Sequence, residues 1–244
     1  MTDILTVIAK EWKEYLQARG SKRGTIMMFL FPVVLFGVVF PLQAGRDWIE
    51  TPITILSFSW IPLLFVSAVT ADSFAGERER HTLETLLASR LSEKAILFGK
   101  TIAAVSYGIL LTGLIVSAGL ATVNIVHAED GLVLYPAKAF LGGSVICLLA
   151  SLFIAGLGIL VSLKAATVRQ AHQTMSIGLI AVAFLPTLLL SVFPSETRKQ
   201  IISVLDSVDA FSVFLVVVGF LAVIDILILT VAVKRFTRSD MLAQ

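Results

Sequence analysis

The sequence predicts an all-α membrane protein: six transmembrane helices, an amphipathic helix at the membrane interface ahead of them, and a short charged cytoplasmic helix between spans two and three. Three observations carry this reading. Of the 244 residues, 57% are hydrophobic and only 15% charged, against roughly 25% charged in an ordinary soluble domain. Six apolar runs reach the ~20 residues that a spanning helix needs. Lys and Arg crowd into one set of alternate loops. The composition also excludes disordered and disulfide-rich classes. Cys147 is the single cysteine, so neither an internal disulfide nor a cysteine metal cluster can form. A net charge of +2 is too slight to imply nucleic acid as a partner.

The chain opens with DILTVIAKEWKEYLQAR over 3–19. Ile4, Ile8, Trp12 and Tyr15 recur at helical spacing with Leu5 and Leu16 beside them, while Lys10, Lys13, Glu14 and Arg19 take the remaining face. Residues 1–24 therefore read as a helix lying on membrane lipid at the cytoplasmic leaflet, its aromatics at headgroup depth. Packing on other protein is compatible with that placement.

The spans fall at 25–43, 52–71, 101–123, 139–163, 173–193 and 211–233, making 25–244 one six-span domain. The first is too long, and Leu42-Gln43-Ala44 too poor a cleavage site, for a signal peptide. Pro32, Pro62 and Pro186 lie inside spans, where neighbouring groups can re-satisfy the freed backbone. Gly108, Gly113, Gly119, Gly142, Gly143, Gly156 and Gly158 imply close helix packing in spans three and four.

Orientation follows from the loops. Lys10, Lys13, Arg19, Lys22 and Arg23, then Arg78, Arg80, Arg90, Lys94 and Lys100, then Lys164 and Arg169, and finally Lys234, Arg235 and Arg238 occupy one side. The other side has Arg46, Lys138, Arg198 and Lys199. Both termini and the loops 72–100 and 164–172 are thus cytoplasmic, and the economical location is a bacterial-type cytoplasmic membrane.

The stretch 71–100, ADSFAGERERHTLETLLASRLSEKAILFGK, is dense with both signs of charge. Glu77 with Arg80, and Arg80 with Glu84, are spaced to pair on a helix. Leu83, Leu86 and Leu87 form a separate apolar strip, and Ser92 is a good N-cap for the helix leading into span three. Such a helix serves either as a solvated connector or as a lever docked into another protein. The leucines, read as exposed, favour docking, since an unpartnered connector has little reason to carry them.

Ala71, Phe74, Glu77, Arg78, Glu79, Thr82, Leu83, Glu84, Leu86 and Leu87, followed by Leu91-Ser92 and Gly99-Lys100, resemble the coupling region of ABC-type transporter permeases of the type-2 exporter class. His81 departs from the pattern where the family usually has Gly, and Arg90 where it often has Pro. The resemblance implies a permease working with a separate ATP-binding-cassette ATPase. That subunit would bind ATP and Mg and receive a cytoplasmic coupling helix near 76–88. The coupling set would be Phe74, Glu77, Arg78, Glu79, Arg80, Thr82, Leu83, Glu84, Leu86 and Leu87. It also implies a second permease subunit, as homodimer or paralogue, and export as the direction.

Gly99-Lys100-Thr101 ends like a P-loop, but Lys94 stands where the first Gly belongs and the segment opens a membrane helix. No catalytic residue, cofactor or metal is therefore expected in this chain. His81, His127 and His172 are too dispersed for one metal site, and Ser144 and Ser151 have no intramembrane His partner. Asp225, deep in span six, lines a translocation path or makes a packing contact. It also supports the rival reading, a secondary ion-coupled carrier. The segment 194–210, capped by Ser195, reads as a short amphipathic element on the external side.

Overall fold

Residues 2–17, 22–51, 53–194, 196–197 and 209–236 are described by a computed structural model. All their regular structure is helical. Helix α1 runs Thr2–Gln17, and α2 runs Lys22–Val34 into a π turn at Leu35–Val39 and a short α3, Phe40–Ala44. After α4, Asp47–Glu50, come α5, Ile53–Glu79, α6, Leu83–Ala88, and α7, Glu93–Val126. The last three are α8, Ala137–Lys164, α9, Val168–Val192, and α10, Ala210–Arg235.

Four stretches among the described residues are long and apolar enough to cross a membrane: Ile26–Ala44, Glu93–Val126, Ala137–Lys164 and Phe211–Arg235. Helices α5 and α9 have 27 and 25 residues. At 1.5 Å per residue they are about 40 and 38 Å long, enough for a ~30 Å hydrocarbon layer. Ser92 caps α7 as its position predicts, accepting the Ala95 N–H at 3.2 Å. The Ser195-capped element lies almost wholly outside the described residues.

The core lies where α5, α7 and α8 meet, with Ile61, Val66, Ala104, Tyr107, Leu111 and Ile154 buried. Backbone proximity makes it possible. A Cβ on Gly158 would overlap the Thr70 hydroxyl, and one on Gly108 would lie 2.5 Å from Val66 Cγ2. Ser162 fastens α8 to α5 by accepting the Phe74 and Ala75 N–H groups, each at 2.9 Å, and donating to the Ala71 carbonyl at 2.9 Å. In the π turn, Gly37 lies so near α7 that a Cβ would be 2.8 Å from Ala118 Cβ and 2.9 Å from the Ile115 carbonyl. The Gly37 carbonyl accepts from Thr122 Oγ1 at 3.0 Å, so α7 serves a backbone group beside the interrupted helical ladder.

Helix α1 rests on protein along one face. Val7, Glu11 and Tyr15 are buried, the Trp12 indole N–H donates to Ser106 Oγ at 3.0 Å, and Tyr15 meets Tyr107 at 5.6 Å between ring centroids. The predicted apolar face thus divides. Its aromatics turn towards α7, and Leu5 and Leu16 are left exposed.

Candidate functional site

The region predicted as one helix over 76–88 is two helices with a break, and the chemistry of the break is explicit. The Thr82 N–H returns to the Glu77 carbonyl at 2.9 Å and the His81 N–H to Arg78 at 3.1 Å. This is the paired hydrogen-bond pattern that closes a helix C-terminus when the next residue turns left-handed. His81 is that residue, with φ 56°. A Gly would take this conformation without the side-chain clash that a Cβ brings. The departure from Gly therefore sits at the one described non-Gly residue with positive φ.

The turn places the leucines inward, which corrects the expectation of an exposed strip. Leu83, Leu86 and Leu87 are all buried, in one cluster with Phe74, Ile96, Leu97, Leu163 and Phe236. The Phe74 and Phe236 ring centroids are 5.2 Å apart. Helix α6 is a six-residue amphipath whose own protein supplies the apolar partner. A lone helix this short has too few hydrogen bonds to persist without such packing. What faces outward is polar: Glu79, Arg80, His81, Thr82, Glu84, Thr85 and Arg90 are exposed.

The expected charge pairing is also redrawn. Arg80 lies in the turn and reaches Asp72 at 3.4 Å instead of bridging Glu77 and Glu84. Glu77 points inward and is only 2% exposed. Its carboxylate accepts from Lys10 and from the Thr82 hydroxyl, and Lys100 lies 3.4 Å away. Lys100, 1% exposed, donates to Glu11 at 2.6 Å and to the Ser73 carbonyl at 2.9 Å, and its ammonium lies 5.2 Å from the Phe74 ring centre. One buried ammonium thereby ties α1, the end of α5 and the start of α7. Burial alone would raise the Glu77 pKa, but Lys100, then Lys10 and Thr82, overcome it and hold it at about 2. For Lys10 burial works downward, and the bonds to Glu77 and Glu14 with the Glu11 charge more than offset it, so its pKa lies above the usual lysine range.

Glu11, Glu14 and Glu77 bring carboxylate oxygens within 4.8 Å of one another. Lys10 and Lys100 already supply the opposing cations, so the cluster is an ion network. Sequence reasoning missed Glu11 and the pairing role of Lys10 and Lys100. The available signal was a carboxylate set among Ile4, Ile8, Trp12 and Tyr15 on the apolar side of α1.

Two more of the predicted residues fasten the site to the α8–α9 corner. Arg78 donates to the Leu163 carbonyl at 3.1 Å and to that of Ala165. Glu79 accepts the Val168 N–H at 2.8 Å, placing a carboxylate at the N-terminus of α9. The end of α5, α6, the start of α7 and the α8–α9 corner therefore meet at one end of the bundle. Trp48, Ile49, Val123 and Tyr135 cluster elsewhere, joining α4 to the far end of α7. Asp225 stands apart from this assembly. Gly142 meets Phe214 and, fourteen residues further along both helices, Gly156 meets Ile228, so α8 and α10 run parallel. Asp225 lies near the second contact, 4% exposed, and neither carboxylate oxygen has a hydrogen-bond partner among the described residues.

Residues 2–193 match the ABC-2 type transporter family. The chain belongs to the ABC-2 family of transporter membrane proteins. Over 146 residues it is 28% identical to the ABC transporter permease protein NatB of Bacillus subtilis (strain 168). The matched stretch is 55% of this chain and 35% of NatB, so the chain spans about a third of that relative's length. As an ABC-2 permease it is a multi-pass membrane protein, and the family is the membrane component of such transporters, not the ATPase.

Proposed function

We propose that this chain is the membrane-spanning permease subunit of an ATP-driven exporter in the cytoplasmic membrane, receiving force from a separate ATPase at the turn and helix 79–90. The observation that carries the reading is the construction of that projection. Its outer surface presents the exposed polar side chains of Glu79, Arg80, His81, Thr82, Glu84, Thr85 and Arg90, while its inner surface is fixed by the buried leucines and the Lys100–Glu77–Glu11 network. A projection transmits motion only if it cannot yield at its base, and buried close-packed groups supply such a base. Six spans follow when α5 and α9 are counted with the four apolar stretches, and the basic-residue bias sets both termini in the cytoplasm. Leu5 and Leu16 of α1 then face lipid at that leaflet. A second permease subunit completes the path. Family membership weighs against an ion-coupled carrier working through Asp225.

The test uses the exposed face. A candidate ATPase encoded beside this chain is co-expressed with it and recovered through a tag on the permease. Glu84→Arg with Thr85→Arg alters only exposed positions and is expected to lower recovery at least about tenfold, the loss set by a 1.4 kcal/mol change, at unchanged membrane level. Full recovery by the double variant would overturn the docking assignment.

A further inference from the structure

Between α9 and α10, with α8 as its floor, lies a cleft of about 410 Å³ that the coupling region does not use. Its walls are of two kinds. Leu157, Leu160 and Val231 make an apolar trough, and Lys164, Arg235 and Gln170 stand at its rim. Lys164 and Arg235 occupy the last turns of α8 and α10, at the same end of the bundle as α6. Basic residues at helix C-termini are common, because they complement the helix dipole. That explains each cation singly. It does not explain why both border one apolar trough, nor why neither forms an ion pair with a described residue. Glu79, at the α8–α9 corner, accepts the Val168 N–H and forms no ion pair with either cation. The cleft thus offers two positive charges with no ion-pair partner among the described residues, above a hydrocarbon-lined groove at the level where a spanning helix leaves the bilayer.

We infer that this cleft is a binding site for an anionic phospholipid of the leaflet on the α6 side. The headgroup phosphate lies between Lys164 and Arg235, with an acyl chain along Leu157, Leu160 and Val231. Charge complementarity selects the head, since basic pockets between membrane helices favour anionic lipid. The trough selects a chain-bearing ligand over a free anion. The inference needs only that the protein spans a membrane, so it stands or falls apart from ATPase docking.

The experiment uses the whole chain, purified in a mild detergent and stripped of lipid. Retention of phosphatidylglycerol and phosphatidylcholine is then measured by native mass spectrometry and by titration. The wild type is expected to prefer phosphatidylglycerol by about tenfold or more, as two surface cations imply. Lys164→Gln with Arg235→Gln should abolish that preference. Leu160→Trp, which fills the trough and keeps both cations, should weaken binding comparably. Lys138→Gln, at the opposite end of α8, should change nothing. Each variant is accepted only if monodisperse on gel filtration; Lys164→Gln alone, at an exposed position, stands in should the double variant fail. Undiminished preference in the charge variants would overturn the site. So would competition by glycerol phosphate, which lacks chains, as effective as that by the lipid, or indifference to Leu160→Trp.

Discussion

Replacing Lys100 by Met keeps the length of the side chain and removes its charge, and the structure states what is left behind. Glu11, 2% exposed, loses the ammonium at 2.6 Å that lies closest to it. Glu77 loses one at 3.4 Å but keeps Lys10 and the Thr82 hydroxyl. Removing one partner of a buried pair costs about 3–5 kcal/mol, because the surviving charge stays desolvated. Lys10→Met removes a charge whose side chain is 38% exposed, and solvent screening limits that loss to about 1 kcal/mol. At about 2–4 °C per kcal/mol for a chain of this size, Lys100→Met should lower the melting temperature in detergent by about 10 °C and Lys10→Met by about 3 °C. Adding Glu11→Gln to Lys100→Met neutralises the orphaned carboxylate and should restore a substantial part of the loss. Thermal unfolding followed by gel filtration reads all three, with protease sensitivity of α1 as a second probe. If Lys10→Met proved as damaging as Lys100→Met, or Glu11→Gln gave no rescue, the claim that burial sets the strength of this network would be refuted.

Acid provides another handle on the same groups. The Glu77 pKa is lowered from 4.5 to about 2, so its stabilisation is fully present above about pH 4.5 and is lost as the pH falls towards 2. Melting temperature against pH should fall across that window in the wild type and less in Glu77→Gln. At the turn, His81→Gly should stabilise by about 1 kcal/mol and His81→Val should destabilise, because φ is 56° there; the same melts decide. Gly37→Ala should cost about 1–3 kcal/mol, since its Cβ would meet the Ile115 backbone. Gly113→Ala, with nothing within 4 Å, should be neutral or mildly stabilising.

Much of the architecture was legible because lipid imposes a simple rule. An apolar run of sufficient length has few alternatives to a helix, and the helices at 93–126, 137–164 and 210–235 enclose the runs read from sequence. Capping is equally local, and Ser92 announced itself. The coupling region was legible in composition but not in direction. A strip such as Leu83, Leu86 and Leu87 looks the same whether a foreign subunit or the chain's own Ile96, Leu97 and Phe236 covers it. Periodicity reports that a face is apolar and says nothing about what lies against it. Glu77 was misdirected for a related reason. Its neighbours in sequence, Arg78 and Arg80, were visible, whereas its true partners lie 67 and 23 residues away. The π turn had no readable signature beyond Pro32, Gly37 and Pro41 within ten residues.

The bond between Glu11 and Lys100 spans 89 residues, and this imposes a schedule on biogenesis. At about 5–20 residues per second, the ribosome releases Glu11 roughly 4–18 s before the lysine that neutralises it exists. During that interval the apolar stretch Ile26–Ala44 and helix α5 are made, and the Glu11 carboxylate lacks this partner. The seat of Trp12 on Ser106 must wait as well, so α1 is fastened only after α7 has been made. A chain arrested before residue 100 would leave that helix unlatched, its buried-face carboxylate without the cation that neutralises it.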